Sequence, residues 1–484
     1  MNVSIFGTSL RMNSGSNCRA GCWSAVSVAS AHRFQNPVCM KPLKAFTTLG
    51  GSFCSRLFDS VTIGLLQNST CSSFDRLERC MVGARVWSGL IRRLFPWRTP
   101  VSPEGSRLHR RRAARSKRQA PAASIRLARS NAYTGLARFT GRSVDRLFLT
   151  AMSRPHRYPG PGDLGRVGEE IAVAHALYRD GRPAAPSAFH TTPPPLLSPS
   201  IEPAWHPSLR FEWLSFESGY SAPADDPSSD RWNNYDCNRT CHAWVARHSG
   251  PERPWLICLH GLGTGGPYAD FAGFRAEMLH HELGLNLLMP VLPLHGPRKP
   301  PELPVASLLS FDLLDAFHGI SQAVWDTRRL IQWARAQGAT KIGLYGLSMG
   351  SYVSALLSGL ENADVVIAGI PVCDIPDLFV HHAPLDQRQE AEEAGVLGVR
   401  TRELFELISP LSVTPHTKLE NRFIFAGSDD KVSTPEQAER LWEHWGQPGI
   451  RWFAGGHVSF FWSSEVGPFV DHRLHKAGFA VLDH

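Results

Sequence analysis

The chain has 484 residues, 43% of them hydrophobic, enough to bury a sizeable core, but no run of about 18 apolar residues, which argues against a transmembrane helix. Its formal net charge of +8 averages two unlike parts: residues 1–150 hold about 24 Lys and Arg against about 5 Asp and Glu, roughly +19, which leaves roughly −11 for the rest. With no apolar core behind a basic tip, the first residues make a poor secretory signal.

In residues 1–150 no apolar period organises the sequence, and six of the ten cysteines fall there, at Cys18, Cys22, Cys39, Cys54, Cys71 and Cys80. We expect a largely unstructured basic extension. Its densest run, 108–118, has the clustered cations that bind nucleic acid or an anionic membrane by releasing counterions. Two other readings stay open: translation that starts later, at Met81 or Met152, and a targeting peptide. The basic amphipathic stretches 86–97 and 136–152 suit either a membrane surface or helices packed on the folded body. From 151 to 208, Pro and small residues dominate, including Pro193-Pro194-Pro195, which suggests a linker or a chain wrapped along the following domain, 209–484.

Within 209–484 the predicted elements alternate. Residues 211–220 and 240–248 read as antiparallel strands. The apolar run Trp255-Leu256-Ile257-Cys258-Leu259 is a strand buried on both faces that empties into the glycine-rich loop His260-Gly261-Leu262-Gly263-Thr264-Gly265-Gly266. Residues 285–290 form another strand, and its exit, through Pro293, His295, Pro297, Arg298 and Pro300, predicts a rigid wall. There Arg298 or His295 would contact a polar or anionic substrate group, or be solvated loop charges. Residues 313–337 carry apolar residues at helical spacing, stopped by Gly338. Strands follow at 342–345, 365–370, 423–427 and 450–453, with a large insertion at 371–419. The expected total is about eight strands, mostly parallel, in one doubly wound α/β sheet.

The chemistry sits at the strand ends. Gly346-Leu347-Ser348-Met349-Gly350 turns a buried strand sharply into a helix, and glycines two before and two after remove side chains that would collide there. That makes Ser348 a candidate nucleophile. The loop after Leu259 can present a backbone N–H to an oxyanion. Asp429 and Asp430 follow the strand ending at Gly427, ahead of a helix opening at Thr434-Pro435-Glu436, and either can orient an imidazole. His457 follows the last strand and the pair Gly455-Gly456, completing the order Ser, Asp, His. His260 reads as structural. Cys18-x-x-x-Cys22 and Cys237-x-x-x-Cys241 each lack a correctly spaced second half, so no zinc site is indicated.

Over residues 205–480 these motifs resemble the α/β-hydrolase superfamily. The resemblance implies a mostly parallel eight-stranded sheet, Ser348 as nucleophile, His457 as general base and then acid, and backbone N–H groups of Met349 and Leu262 as the oxyanion hole. It favours Asp430 as the acid, three residues after Gly427, with Asp429 and Asp374 as alternatives. The insertion at 371–419 would be a lid that sets specificity. The implied activity is hydrolysis of a small-molecule carboxylic ester without a cofactor. Thioesterase, peptidase and acyltransferase chemistry run on the same residues, and a non-catalytic binding protein could use the same scaffold. Few cysteines in 209–484 point to a reducing, cytoplasmic setting. Trp452, Phe460, Phe461 and Trp462 are either a pocket wall or core at the sheet end.

Overall fold

A computed structural model of the protein describes residues 132–153, 161–179, 185–250, 252–301, 303 and 307–481. The expectations for the cysteine-rich front and for the basic run 108–118 lie outside those residues.

Nine strands form one sheet: β1 (Ser200–His206), β2 (Leu209–Glu217), β3 (Thr240–Ala246), β4 (Trp255–Leu259), β5 (Asn286–Pro290), β6 (Ile342–Leu347), β7 (Val365–Gly369), β8 (Arg422–Gly427) and β9 (Gly449–Phe453). Their spatial order is β1-β2-β3-β5-β4-β6-β7-β8-β9. The first three strands run antiparallel up to the β3–β5 pair, and every pair from β5–β4 to β8–β9 is parallel. The count corrects the expected eight. The additional strand, β1, comes from the proline-rich stretch assigned to a linker, and Pro203 is tolerated because β1 is an edge strand with β2 on one side only.

Both faces of the parallel strands are covered. In β4, Trp255, Ile257 and Leu259 join one apolar cluster while Leu256 and Cys258 join the other, which is why the strand reads as a continuous apolar run. Ten helices matter below: α1 (Ala132–Ser153), α2 (Pro161–Arg179), α3 (Pro267–Phe274), α4 (Leu313–Ala336), α5 (Met349–Leu357), α6 (Ile375–His382), α7 (Leu385–Glu393), α8 (Val399–Phe405), α9 (Pro435–His444) and α10 (Val466–Lys476). Helix α4 is buried along most of its length, and α5 follows β6 directly.

The insertion after β7 holds α6, α7 and α8, and α2 packs on it. A Cβ on Gly168 of α2 would come 1.8 Å from the Ala394 carbonyl oxygen, so the chains touch backbone to backbone. His175 Nε2 lies 2.7 Å from Glu403, and Arg179 pairs with Glu406 at 3.0 Å. Helix α1 straddles residue 150, the expected end of the extension, and packs on the 3₁₀ turn His457–Trp462 through Gly141 and Asp145. Among the described residues no helix is long and apolar enough to cross a membrane.

Arg298 and His295 are neither substrate contacts nor solvated charges: both are buried. Arg298 Nη2 is ion-paired to Asp326 at 2.9 Å, and the guanidinium donates to the Val291 and Asn238 carbonyls at 2.9 and 3.0 Å. A proline-rich loop lacks backbone donors, and Arg298 instead ties the Val291 carbonyl at its start, and the Asn238 carbonyl before β3, to Asp326 of α4.

Candidate active site

In parallel strands every C-terminus lies at one edge of the sheet, so the loops after β4, β6, β8 and β9 converge there. Ser348, between β6 and α5, has φ +55° and ψ −116°, the strained turn expected from the glycine pattern. The glycines have steric reasons: a Cβ on Gly346 would sit 2.1 Å from the Gly350 oxygen, and one on Gly350 would sit 1.8 Å from the Leu259 oxygen. The strain is held by the Ser348 N–H donating to the Gly369 carbonyl at 2.9 Å and by Ser351 Oγ donating to Gly346 and Gly369. Ser348 itself remains half-buried, within reach of an incoming molecule.

The three side chains are brought together. Ser348 Oγ lies 2.9 Å from His457 Nε2, and His457 Nδ1 lies 2.7 Å from Asp430 Oδ2. The carboxylate is held in place by its own turn: Asp430 Oδ1 accepts from the Val432 and Ser433 N–H groups at 2.8 and 3.0 Å, and Oδ2 accepts from Ser433 Oγ at 2.9 Å. Burial pushes the Asp430 carboxyl up, but the facing His457 charge and these donors outweigh it and leave it below the ordinary value. Burial likewise pulls His457 down, and the charge and hydrogen bond of Asp430, then the charge of Asp145, lift it above the ordinary imidazole value. An acceptor at Nδ1 keeps the proton there, so the Nε2 lone pair faces the serine hydroxyl.

The two alternative acids face elsewhere. Asp374 caps α6 through the Asp377 N–H at 2.9 Å and pairs with Arg440 at 2.6 Å. Asp429 accepts from Arg142 Nε at 3.1 Å and Ser428 Oγ at 2.8 Å.

Met349 opens α5 immediately after Ser348, and the loop holding Leu262 lies alongside: a Cβ on Gly261 would sit 3.3 Å from Ser348 Cβ. That loop is braced from below. His260 Nε2 accepts from the Leu292 N–H at 3.0 Å, which leaves Nδ1 to donate to the Gly261 carbonyl at 2.8 Å. Burial pulls His260 down to about 4, so it stays neutral in that role. Asp270 adds a second brace, accepting from the Gly265 N–H at 3.1 Å and Trp244 Nε1 at 3.0 Å. Phe460 and Phe461 stack at 4.2 Å within the 3₁₀ turn that His457 opens, and Trp462 at its end is half exposed.

Sequence reasoning missed two contributors. Ser433, before α9, clamps Asp430 and lies 3.2 Å from His457 Nδ1. Asp145 of α1 is fully buried and receives the His457 N–H at 2.8 Å. Its signal was present: it is the single acid among the basic residues of 136–152 and stands four residues after Gly141, on the same helix face.

Sheet order, the strained serine turn and the meeting of serine, histidine and carboxylate at one sheet edge define the α/β-hydrolase fold. The chain is 41% identical over 317 residues to the uncharacterized protein Rv2627c of Mycobacterium tuberculosis strain H37Rv, covering 65% of this chain and 76% of that one. It matches the uncharacterized protein MT2702 of strain CDC 1551 to the same extent, and it belongs to the family of these mycobacterial proteins. No protein-family model matches it. Solved structures resembling it include acetyl xylan esterase 1 from Thermoanaerobacterium, with 15% identity, 66% of this chain and 95% of that chain covered and a TM-score of 0.41. Another is the Pyrococcus horikoshii acylaminoacyl peptidase, with 10% identity, 57% and 43% covered and a TM-score of 0.39.

Proposed function

We propose that the protein is a serine hydrolase that cleaves carboxylic esters through an acyl-enzyme on Ser348. The observation that carries this reading is the unbroken line Ser348 Oγ to His457 Nε2 at 2.9 Å and His457 Nδ1 to Asp430 Oδ2 at 2.7 Å, starting from a serine in a strained strand-to-helix turn.

Ser348 Oγ attacks the ester carbonyl carbon while its proton passes to His457 Nε2. Asp430 stabilises the resulting imidazolium without taking the proton itself. The N–H groups of Met349 and Leu262 receive the oxyanion. Collapse breaks the carbon–oxygen bond to the alcohol, which leaves with the proton from Nε2. Water then attacks the acyl carbonyl, gives its proton to Nε2, and Ser348 departs as the hydroxyl.

The insertion at 371–419 is proposed as the lid: His382, at the end of α6, hydrogen bonds to the Val432 carbonyl at 2.7 Å, two residues from Asp430. The unpaired thiols of Cys241, Cys258 and Cys373 fit a reducing, cytoplasmic setting. A separate role for the basic front in binding nucleic acid or anionic membrane is proposed from its charge alone.

Labelling of purified protein by a fluorophosphonate, together with hydrolysis of short and long p-nitrophenyl esters, tests the reading. Both should vanish in Ser348→Ala and in His457→Ala. A folded wild type that neither labels nor turns over would overturn it in favour of a binding scaffold.

A further inference from the structure

We infer that Asp145, on a helix N-terminal to the hydrolase body, is a positioning residue that splints the two loops carrying Asp430 and His457. The inference rests on the serine-hydrolase reading and adds to it a group contributed by α1.

Asp145 Oδ2 accepts the Lys431 N–H at 3.0 Å and the His457 N–H at 2.8 Å, and Oδ1 accepts the Val458 N–H at 3.3 Å. One carboxylate thus grips the backbone adjacent to Asp430 and at His457 itself. These loops follow different strands, β8 and β9, and are joined up to Gly455 by the Ser428 N–H donating to the Phe453 carbonyl at 2.9 Å and the Asp429 N–H to the Gly455 carbonyl at 3.0 Å. Asp145 carries that tie on to Lys431, His457 and Val458, at the edge where the imidazole must sit.

The contact is built closely. Asp145 is 0% exposed in a helix that carries Arg142 and Arg146 on its outer side. A Cβ on Gly456 would sit 2.2 Å from Asp145 Oδ2, and one on Gly141 would sit 2.4 Å from the Gly456 nitrogen. The pair Gly455-Gly456, read from the sequence as a strand ending, therefore also makes room for this helix. Phe148, one turn on, has its ring 6.5 Å from the His457 ring. A buried carboxylate costs stability unless fully hydrogen bonded, and nothing in α1 itself needs one at that position. Its donors are all backbone groups of the site.

A second effect follows from charge. The charged and titratable groups facing His457 are Asp430, Asp145 and His382, and those around Asp145 are Asp430, His457 and the Asp429–Arg142 pair. Asp145 adds a second negative charge near the imidazole, favouring the imidazolium formed as Ser348 loses its proton.

The test uses the full chain as wild type, Asp145→Asn, Arg142→Ala and Gly456→Ala. It measures kcat and KM for a p-nitrophenyl ester across pH, and the His457 imidazole titration by nitrogen NMR. Asn keeps the shape and removes the charge, so kcat should fall about tenfold to hundredfold with KM held, as expected when a reacting group is slightly misplaced. The acidic limb and the His457 titration should both move to lower pH by about half a unit or more. Arg142→Ala loosens the same helix with the carboxylate intact, and should stay within about threefold of wild type. Gly456→Ala pushes the carboxylate off the histidine loop and should lower kcat as Asn does, which keeps the inference testable if Asp145→Asn does not fold.

Wild-type kcat and an unmoved His457 titration in Asp145→Asn would overturn the inference. So would an Arg142→Ala variant that reproduces the whole loss, since docking of the helix would then be the cause. A wild type that does not label with fluorophosphonate overturns the hydrolase reading alone, and the His457 titration in wild type and Asp145→Asn then decides the positioning role.

Discussion

Replacing Asp430 by Asn tests the assignment of the acid, which the sequence left open among three aspartates. In the folded protein Asp430 Oδ1 takes two backbone N–H groups at 2.8 and 3.0 Å, and these can stay on the Asn carbonyl. The amide NH₂ then faces His457 Nδ1, where an acceptor stood at 2.7 Å. The imidazole answers by accepting at Nδ1 and carrying its proton at Nε2. Nε2 can then no longer take the Ser348 proton across 2.9 Å. The wrong tautomer costs about 10³–10⁴ in kcat, or about 4–5.5 kcal/mol at 1.36 kcal/mol per tenfold. Substrate does not touch Asp430, so KM should hold. The assay is burst and steady-state hydrolysis of a p-nitrophenyl ester beside fluorophosphonate labelling, with a thermal melt to show that the variant is folded. Asp374→Asn and Asp429→Asn should each lose less than about tenfold, because their partners are Arg440 and Arg142 rather than the imidazole. An Asp430→Asn enzyme within tenfold of wild type, or an equal loss in either control, would refute the reasoning.

Because Asp430 and Asp145 hold His457 above the ordinary imidazole value against its burial, kcat/KM should rise with pH through an acidic limb above that value, and Asp430→Asn should lower the limb. Linkage gives the matching stability window. Asp430, depressed on folding, stabilises above its unfolded pKa and loses that as pH falls through the folded value. His457, raised on folding, stabilises below its unfolded pKa and loses that as pH rises through its folded value, so urea midpoints should be highest between the two. Arg298→Met strips Asp326 of its buried partner and should cost about 3–5 kcal/mol, read by urea unfolding, while Ser348 labelling persists where the variant is folded. Loss of labelling in a folded Arg298→Met protein would restore a substrate role to that residue. A chain beginning at residue 132 should keep ester hydrolysis and one beginning at 154 should lose most of it, since the second lacks α1 and Asp145.

Much of the site was legible in sequence because its requirements are local. A serine at a strained strand-to-helix turn needs glycines at fixed offsets, and Gly346 and Gly350 have Cβ positions filled by backbone 2.1 and 1.8 Å away. Strands buried on both faces read as apolar runs, and their parallel order sends Ser348, Asp430 and His457 to one edge. Sequence also located the insertion at 371–419. What it could not decide depended on partners far along the chain. Asp374, Asp429 and Asp430 are chemically identical acids at strand ends, and only packing shows that Asp430 alone meets the imidazole. Arg298 in a proline-rich loop looked available until Asp326 of α4 was found beneath it. Residues 136–152 were amphipathic and basic in either of two settings, and the contact that places them, Asp145 to His457, spans 312 residues. Local conformational demands are written in neighbouring residues, whereas the choice among equivalent charges is made by burial, which belongs to the assembled fold.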